Sequence, residues 1–87
     1  MKIKEGFIVR EVGGENIAVP IGERAKDFHG MISLNETALF LWNFFKEDRT
    51  AEDAQAAVAN EFDAPADLIK KDVENFIEEL KTNGIME

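Results

Sequence analysis

The sequence predicts an α+β fold in which a three-stranded antiparallel sheet precedes three helices. Two observations carry this prediction. Two segments with strand character flank a Gly-Gly pair near the N-terminus, and three segments with helical periodicity follow one another after residue 35. The chain has 87 residues, 45% of them hydrophobic, which suits one compact domain. Residues 1–87 are therefore interpreted as a single domain.

The N-terminal hairpin is predicted from its strands and its turn. The segment 7–12 is rich in β-branched and aromatic residues, and the segment 16–21 places isoleucine or valine at every second position, as half-buried strands do. Gly13-Gly14 between them supplies the positive φ angles of a tight hairpin turn. Pro20 has no N–H for a ladder bond, so it marks the end of the second strand.

A short third strand is predicted over Met31–Leu34, after a polar connection that includes one helical turn over 23–27. Asn35 follows as a good N-cap, and Leu34 and Leu39 have the spacing of a hydrophobic staple, so a helix should begin at Glu36. Apolar side chains surround nearly the whole circumference of this helix up to residue 45, which predicts that it forms the centre of the core.

Two further helices follow. Thr50 and Asp53 have the spacing of a capping box, and the helix they start should run to about Glu61. Pro65 suits the first turn of the last helix, and Asn83-Gly84 suits its end. A sheet whose hairpin comes first, followed by three helices with a short turn between the first two, gives a winged-helix-like arrangement.

The composition excludes several kinds of chemistry. The absence of cysteine removes disulfides, thiolate metal sites and cysteine nucleophiles, and it is compatible with a reducing cytoplasm. The single histidine, His29, has no second histidine to complete a metal or proton-relay pair, and neighbouring carboxylates lack the spacing of a calcium site. We therefore expect no catalytic residue, no metal and no cofactor, in a cytoplasmic protein without a membrane span.

The charge distribution argues against nucleic acid as a partner. The net charge is −8, and it arises entirely after residue 34. No lysine or arginine occurs between Thr50 and Ile69, in the segment that a DNA-binding helix-turn-helix would use. Since basic residues supply most non-specific affinity for DNA, this surface should repel the phosphate backbone.

What remains for recognition is a sheet edge and a helix. The third strand carries neither charge nor proline, so its unpaired backbone groups are open to an added strand. The last helix has a long apolar stripe and should lie beside this edge. The stripe either lines a groove next to the strand or is wholly buried against the other two helices. The candidate peptide-binding residues are Met31, Ile32, Ser33, Leu34, Ile69, Lys70, Val73, Phe76, Ile77 and Leu80.

The run from Gly30 through Leu34-Asn35-Glu36-Thr37-Ala38 to Trp42 resembles the central "LNETA…LW" signature of the PqqD-like family. The segments 7–14 and 73–85 are similar to the ends of that family, so the resemblance covers nearly the whole chain. One departure is Ala64 before Pro65, where the family often has a capping serine or aspartate.

The resemblance implies a precursor-peptide recognition element that is not an enzyme. In this fold the leader of a ribosomally made precursor peptide adds as a fourth strand between strand 3 and the last helix. A partner enzyme, in several pathways a radical S-adenosylmethionine enzyme, then modifies the precursor, and synthesis of pyrroloquinoline quinone is one such pathway. A winged-helix DNA-binding regulator and an adaptor for a folded partner protein are the alternatives. The free edge also predicts homodimers.

Overall fold

A computed structural model describes residues 1–27 and 30–87 of the chain. Its strands and helices, in chain order, are β1 (Phe7–Val12), β2 (Glu15–Pro20), α1 (Arg24–Asp27), β3 (Ile32–Leu34), α2 (Glu36–Phe44), α3 (Ala51–Glu61) and α4 (Ala66–Thr82). The predicted α+β fold is confirmed: the three predicted helices are α2, α3 and α4, and the predicted helical turn is α1. His29, which we expect to take no part in a metal site or proton relay, lies outside the described residues.

The hairpin closes with a two-residue turn, as predicted. Val12 is opposite Glu15 in the register, and Gly13 and Gly14 between them have φ angles of 60° and 84°. Positive φ at both central positions is the requirement of the type I′ turn, whose twist matches that of the flanking strands. A Cβ at Gly13 would meet no other atom within 4 Å, so the demand for glycine comes from the backbone angles alone.

The strand order is β1-β2-β3, and both pairings are antiparallel. β3 is one residue shorter than predicted, because it begins at Ile32 and leaves out Met31. Continuing the register of Ala18 with Ile32 would place Pro20 opposite Gly30, and Pro20 has no N–H to donate. The hydrogen-bond ladder between β2 and β3 therefore ends before Met31, at the N-terminal end of β3.

The helix starts follow the capping residues. The Asn35 side chain accepts a hydrogen bond from the Ala38 N–H at 2.8 Å, and Thr50 and Asp53 form a complete capping box. α4 differs, since Pro65 is its N-cap and no side chain accepts a bond there. Ala64 and Pro65 offer no side-chain oxygen, so α4 begins at Ala66 with its first N–H groups uncapped by side chains.

The core is built around α2, as its apolar circumference predicted. Leu41, Trp42 and Phe45 have at most 1% of their surface exposed, and the buried stripe of α4 packs against them. The chain ends complete the core. Ile3 and Met86 form an antiparallel bridge and are both buried. Among residues 1–27 and 30–87, no helix has the length and apolar character to cross a bilayer.

Candidate site at the free edge of the sheet

The hairpin geometry determines which backbone groups of β2 face β3. Val12 and Glu15 flank the two-residue turn and therefore form a hydrogen-bonded pair. Backbone N–H and C=O groups alternate in direction along a strand, so every second residue counted from Glu15 faces β1. Asn16 and Ala18 consequently direct their backbone groups towards β3.

β3 leaves the backbone of Ser33 unpaired within the sheet. Ile32 lies opposite Ala18 and Leu34 lies opposite Asn16, so both direct their N–H and C=O groups towards β2. Ser33 lies between them and directs its own N–H and C=O to the open side. The Ile32 and Leu34 side chains are buried whereas Ser33 is exposed. The open edge of β3 thus presents backbone groups that are not paired within the sheet, on a strand whose side chains are anchored in the core. Such an edge can accept an added strand.

A cleft of about 230 Å³ lies beside this edge. One side consists of β3, the N-cap residue Asn35, and residues of α2 that include Ala38 and Leu41. The opposite wall is one flank of α4, formed by Asp72, Asn75, Phe76 and Glu79. The cleft is open and smaller than the roughly 300 to 1,000 Å³ of typical small-molecule pockets, so it suits an extended chain better than an enclosed ligand.

The α4 wall follows from helical periodicity. Asp72, Asn75, Phe76 and Glu79 are spaced i, i+3, i+4 and i+7, which places them on one stripe of the helix. Leu68 continues this stripe one turn earlier, and 48% of its surface is exposed. Phe76 is the member of the stripe that also belongs to the buried core. α4 therefore carries two neighbouring stripes, one for the core and one for the cleft.

The structure divides the predicted site residues into separate groups. Ile32, Ser33, Leu34 and Phe76 line the cleft, and Met31 lies beside it with 64% of its surface exposed.

The remaining α4 candidates do not line the cleft. Val73 and Leu80 are 0% exposed and Ile69 is 5% exposed, because they form the stripe that packs on α2 and α3. They lie behind the cleft wall and support it. Ile77 lines a different groove, next to Met1 and Ala51, and the exposed Lys70 lines neither surface.

Asp72, Asn75 and Glu79 were missed at the level of sequence. Their spacing with Phe76 was visible, but polar residues on an amphipathic helix ordinarily mark its solvated face. These three residues line the cleft because β3 lies opposite that flank of α4.

The electrostatics of the cleft are acidic. Asp72 and Glu79 are its charged lining residues, and none of the lysine or arginine side chains in the described ranges 1–27 and 30–87 lines it. Within the described part of the chain, neither carboxylate takes part in an ion pair. α3, the helix that a DNA-binding domain of this shape would present, contains acidic but no basic residues. Both the cleft and the helix-turn-helix surface are therefore acidic.

The described side chains of the cleft are suited to recognition by hydrogen bonding, apolar contact and charge. Over 1–27 and 30–87, no group of three or more His, Asp or Glu side chains is placed to hold a metal ion. The Met1 amino group donates a hydrogen bond to Asp48 at 2.7 Å and holds the pKa of that carboxyl below its usual value, but neither residue lines the cleft. The cleft itself offers backbone hydrogen bonds, apolar surface and two carboxylates.

The fold and the cleft together define a small winged-helix-like domain whose free strand edge faces a helix. The chain belongs to the family described as "Coenzyme PQQ synthesis protein D (PqqD)", whose model matches residues 19–86. The matched segment contains β3 and all of α2, α3 and α4, so it includes the whole cleft. The family membership expected from the central sequence motif is confirmed.

Two solved structures are similar in fold. One is "TbiB1 in Complex with the TbiA(beta) Leader Peptide", with a TM-score of 0.73, 16% identity, and coverage of 100% of this chain and 95% of that chain. The other is "Lasso peptide synthetase B1 complexed with the leader peptide", with a TM-score of 0.71, 14% identity, and coverage of 97% and 93%. At such low identities the likeness establishes the fold alone. No curated protein matched the sequence.

Proposed function

We propose that this domain binds the leader of a ribosomally synthesised precursor peptide as a fourth strand on β3 and presents the precursor to a modifying enzyme. The observation that carries the proposal is the unpaired backbone of Ser33 at the edge of a cleft that α4 closes on its other side. The backbone supplies pairing that tolerates many sequences, and the side chains of the α4 wall supply selection among them.

The comparisons support this proposal in two ways. The family is described by its role in coenzyme synthesis, and its model covers the residues that form the cleft. The two structures with the same fold were each solved with a leader peptide. The shared fold and the leader peptides in both similar structures favour leader binding over a DNA-binding or adaptor role.

The expected affinity is modest. Each strand hydrogen bond contributes about 1 kcal/mol net, and an apolar side chain buried against Phe76 adds about 1.5 to 3 kcal/mol. Ordering the peptide offsets part of this gain. Because β3 has only three residues, few strand bonds are available, and dissociation constants in the micromolar range are expected for segments that contact this cleft alone.

We further propose that the domain itself performs no chemistry and needs no metal or cofactor. Its contribution is to raise the local concentration of the precursor near its enzyme and to fix the register of the peptide. The family resemblance points to a radical S-adenosylmethionine enzyme as that partner. The surface that contacts the enzyme is separate from β3 in this scheme, since the leader occupies the edge.

The test uses a fluorescently labelled 12-residue peptide enriched from a randomised library displayed on messenger RNA and selected against this domain. Fluorescence anisotropy should give saturable binding to the wild type and to Ser33→Ala, which keeps the backbone donor. Binding to Ser33→Pro, which lacks the donor on the open side, should weaken by about fivefold or more. Equal affinity for a folded Ser33→Pro variant contradicts strand addition. Trp42 fluorescence monitors folding independently, since Trp42 is 1% exposed and remote from solvent.

A further inference from the structure

We propose that Asp72 and Glu79 select leader segments that carry lysine or arginine on the side facing α4. This inference rests on the proposed strand addition and adds the chemical character of the peptide. The two carboxylates are the charged groups of the cleft lining, and among the residues that the structure describes no basic side chain lines the cleft beside them. An added strand would place its inward side chains directly against this wall.

The placement of the carboxylates suits an extended peptide. Asp72 and Glu79 are seven residues apart on α4, which corresponds to about 10 Å along the helix axis. Phe76 lies between them on the same stripe. Same-face residues of a strand recur every second position, about 6.6 Å for two residues and about 13 Å for four. Long basic side chains bridge the remaining difference, with an apolar residue between them against Phe76.

The pattern that fits is a pair of lysine or arginine residues two or four positions apart. In the four-residue spacing the middle position is apolar, and the alternate residues point away from α4. A spacing of three would turn one of the two basic side chains to the opposite face of the strand, away from the carboxylates. The cleft thereby specifies both a charge and a spacing.

The carboxylates of this wall are available to a ligand. Both residues are exposed, and within 1–27 and 30–87 neither forms an ion pair. Lys81 lies on the other flank of α4, where it lines the groove next to Met1. A basic peptide side chain would therefore meet a carboxylate without first displacing an internal partner.

α4 also provides a matched control. Glu74 and Glu78 line the groove on the other flank, away from the cleft. The double variant Glu74→Gln/Glu78→Gln changes the net charge by the same amount as Asp72→Asn/Glu79→Gln. A general attraction of basic peptides to a protein of net charge −8 would be weakened equally by both variants, whereas local selection is weakened only by the second.

The probe is a library of randomised 12-residue peptides displayed on messenger RNA and selected against the purified 87-residue chain. Enriched peptides should carry lysine or arginine two or four positions apart. Their affinity should fall about 2- to 30-fold in Asp72→Asn/Glu79→Gln, the range for two exposed ion pairs, and should be retained in the control variant.

The outcomes separate this inference from the proposed function. Enriched peptides that are neutral or acidic, yet lose affinity in Ser33→Pro, overturn the charge selection and leave strand addition intact. Equal losses in the two double variants overturn it as well, because they indicate general attraction. Failure to enrich any peptide that depends on Ser33 overturns both.

Discussion

Phe76 stacks on Phe45, with ring centroids 6.4 Å apart and ring planes inclined by 20°. Phe45 is 0% exposed, whereas Phe76 is 8% exposed and lines the cleft. Phe76 therefore belongs to the core and to the cleft wall at once. A peptide that occupied the cleft would therefore meet a side chain that also packs in the core.

Substitutions of Phe76 should separate these two roles. Phe76→Ala leaves a cavity against Phe45 and should lower the free energy of unfolding by about 3 to 5 kcal/mol, which removes much of the stability of a domain of this size. Phe76→Leu keeps most of the apolar volume, so the fold should survive while leaders with different apolar anchors change their order of affinity. Urea unfolding followed by Trp42 fluorescence measures the first effect, and anisotropy measures the second. Unchanged stability of Phe76→Ala would contradict a core role.

The hairpin turn gives a prediction about stability alone. Gly13 has a φ of 60° with open space around it, so the cost of a substitution comes from backbone strain. Gly13→Val should destabilise the domain by about 1 to 3 kcal/mol, because β-branched residues disfavour this region. Gly13→Asn should cost much less, since asparagine before glycine is favoured in type I′ turns. Equal melting temperatures for the two variants would rule out the positive-φ explanation.

The free edge of β3 should also allow self-association. A second copy can pair with the Ser33 backbone when no leader is present, and its net charge of −8 should oppose this pairing at low ionic strength. Sedimentation velocity at high protein concentration should therefore detect dimers that increase with salt and dissociate when a binding peptide is added. A strict monomer in high salt would indicate that the shortness of β3 is sufficient protection.

The sequence predicted most of the fold because its signals are local. The Gly13-Gly14 turn and the Asn35 cap each lie within a few residues of the structure they determine. The pairing of Ile3 with Met86 had no such signal, because two single apolar residues at opposite ends of the chain carry no periodicity.

Only some of the residues that line the cleft could be predicted from the sequence. The β3 side followed from a strand without charge or proline. On α4 the prediction included Phe76, which lines the cleft, but also the buried Val73, and it left out Asp72. Phe76 lies where the buried stripe meets the cleft stripe, and periodicity alone cannot decide which stripe faces β3.

Amide hydrogen exchange at β3 distinguishes strand addition from binding elsewhere on the domain. In the free domain the Ile32 and Leu34 N–H groups face β2 and should exchange slowly, whereas the Ser33 N–H faces the open side and should exchange fast. Addition of a saturating peptide from the displayed library should slow exchange at Ser33 and leave its two neighbours nearly unchanged. Fast exchange at Ser33 in the saturated complex, with new protection confined to α3, would contradict strand addition and place the binding surface elsewhere.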